Sequence, residues 1–382
     1  MLLKPLQYLC THPRSPFYPT RLQENRQHLE RDGFKDLTGF AETDYKSTRA
    51  QLCVEDDRLR SLANGRSWRI GQLETPSLAE LRERAAPVLA TSRGRLRVHN
   101  LAADAHQLHT RPELAGALVQ VASQFNLLEM THFEFTPEDG VTDYEYDPTQ
   151  GPACARAAGA GTIYRNYFAP VGNQLGQTSE RQIDTLADLR STLKGGDRIK
   201  MRNGYALADT ATLQTIKTAL RAASPAELDA LRARLRIGLH WDVEVTARGT
   251  PKDQTVSQAY CSALPISYNR DSKPWLWEPF ARLVLEAAYE ATLLAGVINA
   301  ARPGGNRSVY LTRLGGGAFG NEYEWIMDAM QRALDLVRGQ ALDVYLVSYQ
   351  QVPKDLQALA ARYEQDQKGY QRKPETPSAS EA

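Results

Sequence analysis

The segment from Val309 to Val337 constrains the fold most, because it places a short strand, a glycine-rich turn and a helix in direct succession. Val309, Tyr310 and Leu311 are residues typical of a buried strand. The run LGGGAFGN follows at 314–321, and apolar residues then recur at helical spacing through 322–337. Such a turn presents backbone N–H groups and a helix N-terminus, an arrangement that favours an anion.

The sequence of the glycine turn excludes one kind of phosphate-binding loop and leaves one alternative to ligand binding. The sequence lacks the Lys-Ser/Thr pair that closes a P-loop, so a P-loop is excluded. Consecutive glycines permit positive φ and close approach of a ligand to the backbone. Phe319 lies inside the turn, where its ring can cover a sugar or a base. The alternative is a tight strand-to-helix turn that binds nothing.

Strands and helices alternate along most of the chain, and this order predicts an α/β sandwich. We predict strands at 95–100, within 116–130 and ending near 124–126, and at 162–168, 238–246, 256–266, 309–311 and 343–348. We predict helices at 77–89, 153–160, 186–193, 209–220, 226–235, 279–299 and 322–337.

Three parts of the chain differ in composition. Residues 1–94 are rich in Arg, Glu and Leu, and we expect a mostly helical or irregular N-terminal extension. Within it, Ser77 followed by Glu80 is the pattern of a capping box. Residues 95–352 carry the α/β pattern. Residues 353–382 are charged and rich in Pro and Ser towards the end, which indicates a disordered tail.

The composition excludes several classes of protein. The 46 Lys and Arg residues are balanced by 45 Asp and Glu, which argues against direct nucleic-acid binding. The four cysteines are scattered and form no zinc or disulfide pattern, as expected in a reducing cytoplasm. The N-terminus lacks the apolar stretch of a signal peptide, and no run of 18 apolar residues suits a membrane span.

An acidic loop provides the candidate catalytic groups. Asp139, Asp143 and Asp147 are spaced four residues apart in a stretch that Gly140 and Pro148 keep from being a helix. The sequence Gln-Gly-Pro at 150–152 then opens a helix of small residues, whose N-terminus is a second place for an anion. The alternative is a solvated acidic loop, but its position directly before a glycine-opened helix favours a function.

Polar residues at two other strand ends are further candidates. Gln124, Phe125 and Asn126 end a predicted buried strand, and residues at strand ends in α/β sheets commonly line the ligand crevice. Asn126 could equally cap a turn. Cys261 ends another apolar strand and would need a nearby base such as His240 to act as a nucleophile. A buried structural cysteine is the favoured interpretation.

Five segments taken together, ASQFNLLEM, GVTDYEYDPTQGPACA, YRNYF, YCSALPISY and LGGGAFGN, resemble the macrodomain superfamily of ADP-ribose binders. The resemblance covers residues 95–350 and is greatest to a divergent branch that includes bacterial effectors that remove ADP-ribose from arginine. It implies a three-layer α/β/α sandwich with a mixed central sheet and a diphosphate held between two glycine-containing loops. The usual three glycines of the first loop are replaced here by Gln150-Gly151-Pro152.

The resemblance implies an ADP-ribosylhydrolase that cleaves the bond between the distal ribose and an arginine side chain of a modified protein. It implies no required cofactor or metal, and a place in the cytoplasm or, for an effector, in a host cytoplasm. The alternatives are a non-catalytic ADP-ribose reader and an O-acetyl-ADP-ribose deacetylase. The catalytic candidates are Asp139 and Asp147, with Asp143 third. The ligand-binding candidates are Gln124, Phe125, Asn126, Thr149, Gln150, Gly151, Cys154, Ser262, Gly315, Gly316, Gly317, Ala318, Phe319, Gly320 and Asn321.

Overall fold

The computed structural model describes residues 33–269 and 271–370. The expectations for the first 32 residues, for Cys10 and for 371–382 lie outside these residues. The strands are β1 (Leu52–Glu55), β2 (Arg58–Ser61), β3 (Ser67–Arg69), β4 (Gln72–Glu74), β5 (Arg97–Ala102), β6 (Leu118–Ala122), β7 (Pro170–Val171), β8 (Gln174–Leu175), β9 (Lys200–Arg202), β10 (Tyr205–Leu207), β11 (Gly238–Glu244), β12 (Thr255–Cys261), β13 (Ser308–Leu311) and β14 (Asp343–Ser348). The α-helices are α1 (Gly33–Thr38), α2 (Tyr45–Ala50), α3 (Leu78–Thr91), α4 (Ala105–His109), α5 (Gln150–Ala157), α6 (Gly159–Tyr167), α7 (Ala187–Thr192), α8 (Thr210–Ala222), α9 (Pro225–Arg232), α10 (Pro274–Ala301), α11 (Tyr323–Leu336) and α12 (Lys354–Tyr370).

A seven-stranded mixed sheet forms the centre, in the order β4-β11-β12-β6-β13-β14-β5. The five strands from β12 to β5 are mutually parallel, whereas β11 and β4 pair antiparallel at one edge. The carboxyl ends of β12, β6 and β13 therefore lie side by side at one edge of the sheet. This arrangement confirms the predicted α/β class with a mixed central sheet.

Helices cover both faces of this sheet. Along β6, Leu118 contributes to the core on one face, whereas Val119 and Val121 contribute to the core on the other. Helix α10 packs on the first face together with α3, α8 and α11, and α5 packs beside β6 on the second. The three-layer sandwich is thus confirmed. Helix α10 is long and apolar enough to cross a membrane, but 83% of its most apolar stretch is buried, as in a core helix.

The N-terminal region contains strands as well as helices. Strands β1, β2 and β3 form an antiparallel sheet, and β4 pairs with β11 of the central sheet. Phe34, Leu59 and Trp68 share a hydrophobic cluster with Tyr144 and Ile163. Residues 33–74 thus pack directly on the acidic loop and α6. The predicted capping box of α3 is present, with both reciprocal hydrogen bonds.

Two further predictions are wrong. Residues 162–168, predicted as a strand from their β-branched and aromatic content, belong to helix α6. Ile163 and Tyr167 lie four residues apart on the helix face that packs against the N-terminal region, so tertiary packing overrides the local preference. Residues 354–370 of the predicted disordered tail form α12, whose Leu356 and Leu359 are buried. In addition, β6 ends at Ala122, before the predicted end at 124–126.

Candidate functional site

A crevice of about 180 Å³ lies where the carboxyl ends of β6, β12 and β13 meet. One wall is the loop from Thr312 to Phe319, and the other is the start of α5. Such an edge is where open α/β sheets bind ligands. The crevice brings together the following predicted residues: Gln124, Asp147, Thr149, Gln150, Gly151, Gly315, Gly317, Ala318 and Phe319. It also contains residues that the sequence did not single out as ligand contacts, among them Tyr205, Tyr268, Thr312 and Arg313.

The glycine loop, residues 314–320, is fixed at its base. The Leu314 N–H donates to the Tyr289 hydroxyl at 2.8 Å, and the Asn321 N–H donates to the Gly315 carbonyl at 3.0 Å. Gly315 adopts φ +74°, and a Cβ there would lie 2.4 Å from the Ala263 Cβ. Gly315 is therefore required by the turn itself.

The tip of the glycine loop is open. The N–H groups of Gly317, Ala318 and Phe319 donate no hydrogen bond to any residue that the structure describes. A Cβ on Gly317 would meet nothing within 4 Å. In contrast, Gly316 does not line the crevice, and a Cβ there would lie 3.0 Å from the Ile326 Cδ1. The loop therefore offers three unpaired backbone donors at its tip.

Two residues hold the start of α5 against the end of β6. The Gln150 side chain accepts from the Ala122 N–H at 2.9 Å and donates to the Gln120 carbonyl at 2.8 Å. A Cβ on Gly151 would lie 1.9 Å from the Ala122 carbonyl oxygen. Gln150 thus acts as a structural link, and Gly151 is needed for the close approach. The first-turn N–H groups at 150 and 151 have no partner within the helix.

Gln124, Phe125 and Asn126 mostly support the loop that follows them. Gln124 accepts from the Met130 N–H at 2.7 Å and donates to the Met130 carbonyl at 3.0 Å. Asn126 is fully buried, accepts from the Leu128 N–H at 3.1 Å and lies outside the crevice lining. Phe125 belongs to the hydrophobic core. Among these three residues only Gln124 reaches the crevice.

The predicted catalytic aspartates lie in different surroundings. Asp147 lines the crevice, and its carboxylate accepts from the Thr149 N–H at 2.8 Å. Asp139 is exposed and accepts from the N–H and hydroxyl of Thr136, at 2.8 and 3.0 Å. Asp143 is buried in the 3₁₀ helix at 142–146. Neither Asp139 nor Asp143 lines the crevice.

Glu129 is the second carboxyl group in the crevice, and it is almost completely buried. Its two oxygens each lie 3.5 Å from a guanidinium nitrogen of Arg165. Arg165 is itself buried, and its Cζ lies 3.9 Å from the centre of the Tyr260 ring. Burial raises the pKa of Glu129 to about 8 and outweighs the opposing charge of Arg165; the Asp147 carboxylate adds to the increase. At neutral pH Glu129 is therefore mostly protonated. A lone acid in the apolar run NLLEM was the sequence signal for it.

An aromatic wall closes one side of the crevice. The rings of Tyr205, Tyr268 and Phe319 lie with centroids 5.0 to 5.7 Å apart. The Tyr205 hydroxyl donates to the Met130 carbonyl at 2.7 Å, which fixes that ring. Tyr205 comes from the β9–β10 hairpin, so no local pattern in the sequence could connect it with Phe319.

The remaining predicted residues lie outside the crevice lining: Cys154, Ser262, Gly320 and Asn321. Cys154 is fully buried, and the Ser262 hydroxyl donates to the Ala263 carbonyl at 2.9 Å. Burial raises the pKa of Cys261 to about 11, and burial lowers the pKa of His240 to about 3, which disfavours a thiolate–imidazolium pair. In the part of the chain that the structure describes, no three His, Cys, Asp or Glu side chains are grouped as a metal site requires.

A larger cavity of about 310 Å³ lies on the other side of the acidic loop, between α1 and α6. Arg156 and Arg248 line it, but both are paired, with Glu145 at 2.7 Å and with Asp36 at 3.0 Å. It lies away from the glycine loop and the strand ends. We therefore assign the site to the smaller crevice, where the unpaired backbone donors and the carboxyl groups meet.

Comparison with known proteins gives a distant similarity of fold. No protein-family model and no curated protein sequence matches the chain. Among solved structures, poly(ADP-ribose) glycohydrolase from Deinococcus radiodurans in complex with ADP-ribose is 13% identical, with a TM-score of 0.40 over 77% of this chain and 94% of that one. The enzyme of that name from Thermomonospora curvata bound to the inhibitor ADP-HPD is 15% identical, with a TM-score of 0.40 over 83% and 97%. Similarity at this level does not establish a shared activity.

Proposed function

We propose that this protein is an ADP-ribosylhydrolase that removes ADP-ribose from modified protein side chains, with arginine as the modified residue. The observation that carries the proposal is the crevice itself, in which unpaired backbone donors lie opposite a carboxylate and a protonated carboxyl group. The macrodomain-like segments named above supply the identity of the ligand, because the two glycine-containing segments form the two walls of this crevice.

The two walls together suit a diphosphate. The glycine loop supplies the amides of Gly317, Ala318 and Phe319, and α5 supplies its first-turn amides at 150 and 151. Arg313 is exposed at the crevice and adds a positive charge. Backbone donors on opposite walls can hold the two phosphate groups. Phe319 can cover the ribose that lies between the phosphate groups and the two carboxyl groups.

The two carboxyl groups suit cleavage of an N-glycosidic bond. As the bond from the ribose carbon to the guanidine nitrogen breaks, positive charge develops on that carbon. Asp147 stabilises this charge and takes the proton from the attacking water, whose oxygen forms the new bond to carbon. Glu129, protonated at neutral pH, gives its proton to the departing guanidine nitrogen. The buried Glu129 thus acts as the acid, and Asp147 acts as the base, because the two carboxyl groups lie in different environments.

Asp139, one of the catalytic candidates from the sequence, would hold the guanidinium of the substrate. In the unliganded arrangement its carboxylate caps the turn at Thr136. Asp147 therefore has the larger share of catalysis. The substrate is an ADP-ribosylated protein of the cytoplasm, and none of the three residues acts through a cofactor.

The decisive experiment is release of ADP-ribose from an arginine-modified protein, with serine- and glutamate-modified proteins as parallel substrates. We expect release from the arginine-linked substrate at least tenfold faster than from either of the others. Binding of ADP-ribose without release from any substrate would indicate a reader. Release confined to glutamate-linked ADP-ribose would contradict the arginine assignment, and hydrolysis of O-acetyl-ADP-ribose alone would indicate the deacetylase.

A further inference from the structure

Among the contacts between the N-terminal region and the acidic loop, the Glu42 carboxylate accepts the most hydrogen bonds. Both Glu42 carboxylate oxygens accept from the Val141 N–H at 2.9 Å, and one of them also accepts from the Thr142 N–H at 2.7 Å. The Tyr167 hydroxyl donates to the other oxygen at 2.7 Å. Glu42 thus joins residues about a hundred positions apart in the chain, through two backbone groups of the loop.

These bonds fall where they can set the position of Asp147. Val141 precedes, and Thr142 begins, the one-turn 3₁₀ helix at 142–146, and Asp147 directly follows that helix. The Asp147 N–H in turn donates to the Tyr144 carbonyl at 3.3 Å. The first N–H groups of a helix have no partner within it, so an external carboxylate is a strong acceptor for them. Because the helix is only five residues long, fixing its first residues also restricts the position of Asp147 at its end.

Gly140 provides a second, independent sign that the loop is built around this carboxylate. It adopts φ +84°, and a Cβ at this position would lie 2.4 Å from the Glu42 Cδ. The loop therefore leaves room for the carboxylate only because position 140 has no side chain. On the other side, the Asn166 side chain donates to the Pro137 carbonyl at 2.9 Å, so the loop is held on both sides of Gly140.

We infer that Glu42 is a positioning residue for the reaction: it holds the acidic loop so that Asp147 lies in the crevice. This inference rests on the proposed function, because it assigns to the N-terminal region a part in the catalytic step. Glu42 does not line the crevice. Its effect should therefore appear in turnover and not in the affinity for ADP-ribose.

The test uses Glu42→Ala, Glu42→Gln and a matched control, Asp44→Asn, in the full chain. Asp44 lies two residues away and is exposed, and its carboxylate caps its own helix by accepting from the Ser47 N–H at 3.0 Å. We expect Glu42→Ala to lower kcat on the arginine-linked substrate about 10- to 100-fold, as misplacement of a catalytic group does. Glu42→Gln, which keeps the size and one acceptor oxygen, should recover part of this loss. The Kd for ADP-ribose should change less than about threefold, because its binding groups are untouched.

Hydrogen exchange provides a readout that does not depend on activity. In Glu42→Ala the amides of Val141 and Thr142 should exchange at least tenfold faster than in the wild type, and in Asp44→Asn they should not. Unchanged exchange at these two amides, or wild-type kcat in a folded Glu42→Ala protein, would overturn the inference. If the wild type itself released no ADP-ribose, the proposed function would fail, and the exchange experiment would still decide whether Glu42 holds the loop.

Discussion

The two walls of the crevice are built in opposite ways. The glycine loop has few side chains, and the amides at its tip are unpaired among the residues that the structure describes. Gln124 and Gln150, across the crevice from this loop, are polar, but the Gln124 side chain bonds to the Met130 backbone and the Gln150 side chain to the backbone of β6. A polar side chain near a strand end can therefore serve to hold the backbone of the site in place, whereas a glycine there can leave its backbone N–H available to a ligand.

The largest expected effect comes from the one carboxylate of the acidic loop that lines the crevice. Asp147→Asn keeps the shape of the side chain and removes its charge, so turnover on the arginine-linked substrate should fall about 10²–10⁴-fold. The Kd for ADP-ribose should change much less, because the charge acts mainly in the transition state. Asp44→Asn is the matched control, since Asp44 is exposed and lies outside the crevice lining. An equal loss in both variants would mean that the loss does not arise from the carboxylate in the crevice.

The second effect tests the protonated carboxyl group. Glu129→Gln keeps the neutral shape but cannot transfer a proton, so kcat should fall about 10²-fold near neutral pH. In the wild type, kcat should decline as the pH rises through about 8, the pKa to which burial raises Glu129. This decline should disappear in the variant. A wild-type profile that is flat from pH 6 to 9 would exclude Glu129 as the proton donor.

The raised pKa of Glu129 also predicts that the free energy of unfolding falls as the pH rises. Its pKa in the folded chain, about 8, is above its ordinary value of 4.5, so the folded state binds the proton more tightly. The stabilisation is therefore complete below about pH 4.5 and is lost as the pH rises to about 8. Urea unfolding of the wild type and of Glu129→Gln at pH 5 and pH 9 should show a larger drop in unfolding free energy for the wild type. An equal drop in both would place the pKa of Glu129 near its ordinary value.

The glycine wall is tested by adding a side chain where the fold has room for one. Gly317→Val should leave stability unchanged, since a Cβ at this position meets nothing within 4 Å. It should weaken ADP-ribose binding about tenfold or more, because a side chain there displaces the ligand from the amides. Calorimetry measures the change, with Gly339→Val, equally open and remote from the crevice, as the control. Wild-type affinity in a folded Gly317→Val protein would remove this wall from the site.

The smallest effect is expected at the edge of the same wall. Arg313→Gln removes the exposed positive charge at the crevice, and the affinity for ADP-ribose should fall about 3- to 10-fold at low salt. The difference from the wild type should shrink as the salt concentration rises, because an exposed charge is screened. A difference that does not depend on salt would mean that Arg313 acts through its packing on the Tyr323 ring.

The sequence by itself determined the local elements whose causes are local. The Val309 strand, the glycine turn and the following helix appear as predicted, because apolar spacing and glycine positions act within a few residues. The capping box at Ser77 and Glu80 is present for the same reason. The alternation of strands and helices was enough to predict the α/β class, and the acidic loop contained the one aspartate that reaches the crevice.

Only the tertiary structure determined the protonation and the position of the polar groups in the site. Residues 162–168 became a helix because one of its faces packs on the N-terminal region. Glu129 acquired its raised pKa from burial beside Arg165, which the folded chain brings together across 36 positions. Glu42 met the acidic loop only through long-range packing. Burial and pairing between distant segments set the protonation and position of a side chain, and no local pattern encodes them.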